Sequence, residues 1–231
     1  RTTPYKVISI IILVILAILF LFPLYWIVTG AFKPTTDIYA SQPVWWPSEW
    51  VTSNFEKLFT KRSAPLFEIG ALVGPTVPAA IRWLVNTVFM SVAAMLLTCI
   101  TAAMAGYALA KKRFVGRALL FSLIICAMAL PKQVILIPLL KEMSALKLYG
   151  SLWAVIFPTV GWPFGVFLMK QFCEGVPGEM LEAARIDGAS EARTFTQIVV
   201  PLIKPGIGAL AIFTFINSWN DYFMQLVMLP N

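Results

Sequence analysis

The stretch EAARIDGASEARTFTQIVVP, residues 182–201, places five charged side chains between two long apolar segments. Its residue types suit contact with another protein rather than bond making. Pro177 pre-sets the first turn of a helix, and Glu179 and Glu182 suit that helix's positive N-terminal end. Ala183, Ala184 and Arg185 are good helix formers, and Gly188 is the natural stop. Ser190 can cap a second helix through Thr196 and Val199, which Pro201 and Pro205 then end. Met180, Ala183, Ala184 and Asp187 follow i, i+3, i+4, i+7, so this spacing predicts one shared face. Short alanines make the face nearly flat and let another backbone approach closely. A helix resting on lipid would want bulky apolar residues and a lysine-rich rim. The five acids between positions 174 and 191 argue instead for a groove on a protein.

Bond-making chemistry finds few carriers. Histidine is absent, which removes the commonest general base and metal ligand. Cys99, Cys126 and Cys173 sit in or beside apolar runs and read as small buried hydrophobes, with neither metal-site nor disulfide spacing. The acids show no catalytic pairing, so no catalytic residue and no metal ligand is assigned. A different chemistry is available at FTFINSWNDYF, residues 213–223. Polar side chains at membrane depth are costly and face a cavity or another helix. Asn217 and Asn220 could read sugar hydroxyls while the Trp219 and Tyr222 rings stack on pyranose faces. An aromatic belt at the helix end is the competing reading. Asn86 and Thr87 are weaker candidates and read as helix packing, and Lys132 reads as snorkelling to the interface.

The elements that carry these residues are membrane spans. The chain is 59% hydrophobic, and Val7 to Phe32 runs 26 positions without a charge. That run crosses a hydrocarbon core of about 30 Å as a tilted helix, and it is longer and bulkier than a signal-peptide core. Further spans are expected at Leu84–Ala110, Ala118–Ile137, Leu152–Met169 and Ile207–Val227. Barrel strands would be about 9–11 residues with alternating polarity, so the class is all-α, a polytopic membrane helix bundle. Pro23, Pro131, Pro138, Pro158 and Pro163 predict kinks, which survive where neighbouring helices or a wet cavity take up the freed carbonyls.

The net charge of +7 is scattered over loops and does not read as nucleic-acid binding. Lys111, Lys112, Arg113 and Arg117 form one dense exception, which the positive-inside rule places in the cytoplasm. Alternation then puts residues 33–83 outside the cell and 170–206 inside. The outer segment, with Trp45, Trp46 and Trp50, reads as a partly ordered cap.

At this point the residues carry a resemblance. The spacing Glu-Ala-Ala, three residues, Gly, nine residues, Ile, any residue, Leu, Pro is matched by Glu182, Ala183, Ala184, Gly188, Ile198 and Pro201. Val200 stands conservatively at the leucine. The chain resembles the permease subunits of bacterial ATP-driven (ABC) importers. FPLYWIVTGAFKP, LAKKRFVGR and FINSWNDYF add a likeness to the carbohydrate branch, the MalG-like subunits of maltose-type transporters. Residues 57–81 are the least familiar part.

The resemblance implies a single transmembrane permease domain over 1–231, with an extracytoplasmic loop at 33–83. It implies a cytoplasmic ATPase-docking loop at 174–206, whose coupling helix uses Glu182, Ala183, Ala184, Arg185, Asp187 and Gly188. No G-x-x-x-x-G-K-[ST] phosphate loop is present, so ATP and Mg²⁺ belong on a partner ATPase and this chain carries no cofactor. The implied partners are a second permease, an ATPase dimer, an extracytoplasmic solute-binding protein, membrane lipid and a saccharide cargo, neutral or acidic. The place is the bacterial inner membrane. Family members have six spans, and five are visible here, so the sequence is expected to lack a C-terminal span and some N-terminal residues. Two other readings stay open: the same machinery importing a phosphate-bearing solute or peptide, and a membrane scaffold that transports nothing.

Overall fold

A computed structural model describes residues 4–60, 62–66, 68–69 and 72–229. The side chain of Lys132, read above as snorkelling to the interface, lies outside the described residues. Contacts group the chain into two units, residues 1–83 and 84–231.

The first unit opens with α1 (Pro4–Ala31), 28 residues of Ile, Leu and Phe with Pro23 inside. At about 1.5 Å per residue it exceeds a bilayer core, and its apolar window has no buried share within the chain. Short helices α2 (Thr35–Ile38) and α3 (Ser53–Thr60) follow. Four short strands come next, β1 (Ser63–Pro65), β2 (Glu68–Ile69), β3 (Leu72–Val73) and β4 (Thr76–Pro78). β1 pairs antiparallel with β4, and β2 with β3. The segment before it is held by side chains as well. Asp37 accepts from the Ser48 N–H and hydroxyl, both at 2.8 Å, and Asn54 Nδ2 donates to the Ala31 and Lys33 carbonyls at 3.0 Å. Lys33 is buried, donates to the Val44 carbonyl and lies 4.1 Å over the Trp26 ring.

The second unit is built on the part of α4 (Ala79–Lys111), a 33-residue helix, that follows Trp83. Around it run α5 (Arg117–Met128), α6 (Lys132–Ala145), α7 (Trp153–Val160) and α8 (Pro163–Glu174). The remaining helices are α9 (Gly178–Ile186), α10 (Glu191–Thr194), α11 (Val200–Leu202), α12 (Lys204–Trp219) and α13 (Tyr222–Met228), with a π-turn at Phe195–Val199. Two apolar clusters form the core. One packs Ala102, Ala103 and Tyr107 of α4 on Met169 and Cys173 of α8, with Leu181, Val199, Ile203 and Leu210. The other packs Met90 and Ala94 of α4 on Met143, residues 154–156, Met224 and Met228.

Among the described residues, Pro4–Ala31, Ala79–Lys111 and Trp153–Glu174 are long and apolar enough to cross a membrane. Counting each sharply bent helix pair as one span gives five. Two expected spans are corrected, one by a bend and one by a helix end. The stretch Ala118–Ile137 is not one helix: Arg117–Met128 and Gln133–Ala145 meet at 110°. Pro131 lacks the N–H that would continue the ladder and pushes Leu130 out of the helical region. The stretch Ile207–Val227 is also divided. α12 begins earlier, at Lys204, and ends before Asp221, whose carboxylate accepts from Met224 N at 3.2 Å and starts α13.

Candidate functional site

The segment after α8 folds as helix, glycine turn, helix. Pro177 takes the N-cap position of α9, with extended ψ of 132°. At the other end Gly188 has φ of +76°. Its N–H bonds the Arg185 carbonyl at 3.0 Å, and Ala189 N–H bonds the Ala184 carbonyl at 2.9 Å. This is the Schellman pattern, which consumes carbonyls that α9 would otherwise leave open and turns the chain sharply. Ser190 Oγ then accepts from Arg193 N at 3.3 Å and caps α10.

Of the face the alanine spacing predicts, Met180, Ala183 and Asp187 are exposed and Ala184 is not. Leu181 and Ala184 are buried in the chain's own interior, three positions apart. The exposed row is Glu179, Glu182, Ala183 and Ile186, again at i, i+3, i+4, i+7. Ala184 therefore seats the helix rather than presenting it, on the same inner side as Leu181. Arg185, Asp187 and Gly188 remain exposed at the C-terminal end. Ile186 was not singled out from sequence, yet it is 87% exposed at the tip of α9. A branched apolar side chain beside a helix stop was the available signal.

Glu191 was missed as well. Its carboxylate pairs with Lys112 Nζ, accepts from Tyr107 OH at 3.1 Å and meets Arg185 Nη2 at 3.6 Å. Lys112 above all holds the Glu191 carboxyl below the usual glutamate range. A lowered pKa means the charged contact is complete at neutral pH and is lost only as pH falls through that lowered value. Neighbouring Lys111 donates to the Glu174 carbonyl at 3.1 Å and the Val176 carbonyl at 2.6 Å. The basic cluster read as an orientation signal thus also ties the end of α4 to this loop.

Beyond α10 the chain does not stop at Pro201. The π-turn lets Val200 N–H reach back to the Phe195 carbonyl, and α11 carries Pro201 within it. The wider turn spares the clash between a proline ring and the preceding carbonyls. The break comes at Ile203, where Glu191–Leu202 and Lys204–Trp219 meet at 77°.

The polar residues of the fifth span separate. Thr214 and Ser218 are buried on the inner side of α12 with Leu210. Asn217 lines a cavity of about 60 Å³ together with Thr159, Trp162, Thr214, Ser218 and Asp221. Asn217 and Asn220 each donate to the carbonyl four residues back, at 2.8 and 2.9 Å. Trp219 stacks on Phe215 at 5.6 Å, and Tyr222 is 72% exposed. Trp219, Asn220 and Tyr222 lie outside the cavity lining, so the four path candidates do not converge on one enclosed pocket.

A family profile described as the binding-protein-dependent transport system inner membrane component matches residues 100–230. The arabinooligosaccharides transport system permease protein AraQ of Halalkalibacterium halodurans is 32% identical over 93% of this chain and 72% of its own length. The diacetylchitobiose uptake system permease protein NgcG of Streptomyces coelicolor is 27% identical over 97% of this chain and 69% of its own. In fold, the chain is similar to a chain from the crystal structure of a bacterial ABC transporter involved in the import of the acidic polysaccharide alginate. The TM-score is 0.76 at 22% identity, covering 100% of this chain and 78% of that one.

Proposed function

Because the chain belongs to the inner membrane components of binding-protein-dependent transport systems, we propose that it is a permease subunit of an ATP-driven saccharide importer. Membership makes it a multi-pass inner-membrane transport subunit rather than an enzyme. Residues 33–83 face the outside, and residues 174–206 dock on an ATPase that binds ATP and Mg²⁺. A second permease completes the path, and a solute-binding protein delivers cargo. The observation that carries this reading is the exposed, glycine-terminated α9, with Glu182, Ala183 and Ile186 free to enter a groove. Saccharide cargo is supported by relatives named for arabinooligosaccharides and diacetylchitobiose.

The test uses the complex purified through a tag on this chain and reconstituted in vesicles with its binding protein. ATP hydrolysis is measured with an arabinooligosaccharide, diacetylchitobiose, an alginate oligomer, a sugar phosphate and a dipeptide. A saccharide should stimulate hydrolysis. Stimulation by the dipeptide or the sugar phosphate alone would move the cargo class. No stimulation and no uptake with any of them would leave the scaffold reading standing.

Asn217, Trp219, Asn220 and Tyr222 remain the proposed surface toward cargo. Replacing Trp219 or Asn220 by Ala should lower uptake roughly 5-fold per lost contact of about 1 kcal/mol, with assembly intact. Unchanged uptake kinetics in both variants would assign these side chains to the aromatic belt.

A further inference from the structure

Glu191 is where three helices meet. From the end of α4 it takes Lys112 and the hydroxyl of Tyr107, and from the end of α9 it takes Arg185. It opens α10 itself, directly beyond the Gly188 turn. Tyr107 is buried, its ring packs 5.3 Å from Phe195, and Lys112 lies 5.2 Å over its face. Lys111 meanwhile holds the carbonyls of Glu174 and Val176 on the incoming side of the loop. The end of α4 therefore grips the loop before and after α9. A single exposed ion pair contributes little. One carboxylate shared by three partners, one of them a buried tyrosine, instead defines a position.

We propose that Glu191 is a positioning residue that clamps the docking loop to the cytoplasmic end of α4. A displacement imposed on α9 then moves α4 instead of being absorbed by bending at Gly188. The clamp rests on the docking reading above, and it deepens that reading by naming the span that receives the motion and the side chain that passes it on.

The test places spin labels at Val115→Cys and Gln197→Cys in the purified complex. Val115 is fully exposed just after α4, and Gln197 is exposed beyond α10. Cys126 is exposed and is first replaced by serine, whereas Cys99 and Cys173 are buried. Distances are read without nucleotide and after trapping with ATP and vanadate. With Glu191 intact, the distribution should be narrow and agree between the two states to within about 2 Å, less than the shift of one helix past another. Glu191→Gln and Lys112→Met should broaden it and make it depend on nucleotide, and Lys112→Arg should restore it.

A nucleotide-dependent shift with Glu191 present overturns the clamp. So does a distribution that stays narrow in Glu191→Gln, or a Lys112→Arg variant as broad as Lys112→Met. If Ala183→Trp retains full uptake, the docking reading falls while the label distances still report on the clamp.

Discussion

Ala183→Trp should abolish uptake while the chain still inserts and accumulates in the membrane. Ala183 lies on the exposed row of α9, so a larger side chain there is directed away from the chain's own core. Folding should therefore be unaffected. Tryptophan brings about 150–250 Å² of surface, which a groove shaped for a methyl group cannot accept. The ATPase should be lost on purification, or should hydrolyse ATP without driving transport. Lipid gives the opposite result, because tryptophan is welcome at the membrane interface. Full transport with the ATPase retained would sink the docking reading.

Gly188 supplies an independent arm of the same test. A Cβ there would meet nothing within 4 Å, but φ is +76°. The obstacle to Gly188→Val is thus the backbone, with about 1–2 kcal/mol or more opposing the left-handed turn. Loss of uptake in Gly188→Val, with function kept in Gly188→Asn, would show that the turn itself matters, since asparagine tolerates that conformation. Glu182→Ala removes one exposed charge and should give a graded deficit, at most about 1–3 kcal/mol if a partner hydrogen-bonds it.

Gly106→Val should damage the fold of the second unit. A Cβ on Gly106 would lie 2.7 Å from Lys170 N and from Met169 C, and 2.8 Å from Met169 Cβ. Two of these are backbone atoms of α8, which cannot rotate away. α4 and α8 must separate, opening the cluster of Ala102, Ala103, Tyr107, Met169 and Cys173. Overpacking of this kind costs about 1–3 kcal/mol. The melting temperature of the detergent-solubilised protein should fall clearly below that of Gly208→Ala, where a Cβ meets nothing within 4 Å. Equal melting temperatures would mean that the close approach of α4 to α8 is not needed.

Periodicity, charge and spacing determined a good deal without any coordinates. Apolar runs of twenty residues or more mark spans because a bilayer core demands that length from a helix. The series Glu182, Ala183, Ala184, Gly188, Ile198, Pro201 marked a helix, a turn and a second helix, and it carried the family resemblance. Each of those features is local, set by residues a few positions apart.

What depends on distant residues was decided only by the tertiary structure. Ala183 and Ala184 are identical in type, and only the packing of Leu181 beneath α9 tells which of them faces inward. The alanine spacing alone put both on one shared face. The run from Ala118 to Ile137 is apolar but for Ser122, Lys132 and Gln133, so hydropathy passes over the bend that a missing N–H at Pro131 allows. Glu191 reads as one more charge on a polar helix until Tyr107, 84 residues away, is brought to within 3.1 Å of it. Gly106 looks like a weak point in a long helix until Met169 and Lys170 stand against it. Short-range propensities set the segments, and contacts between segments set their faces, bends and joints.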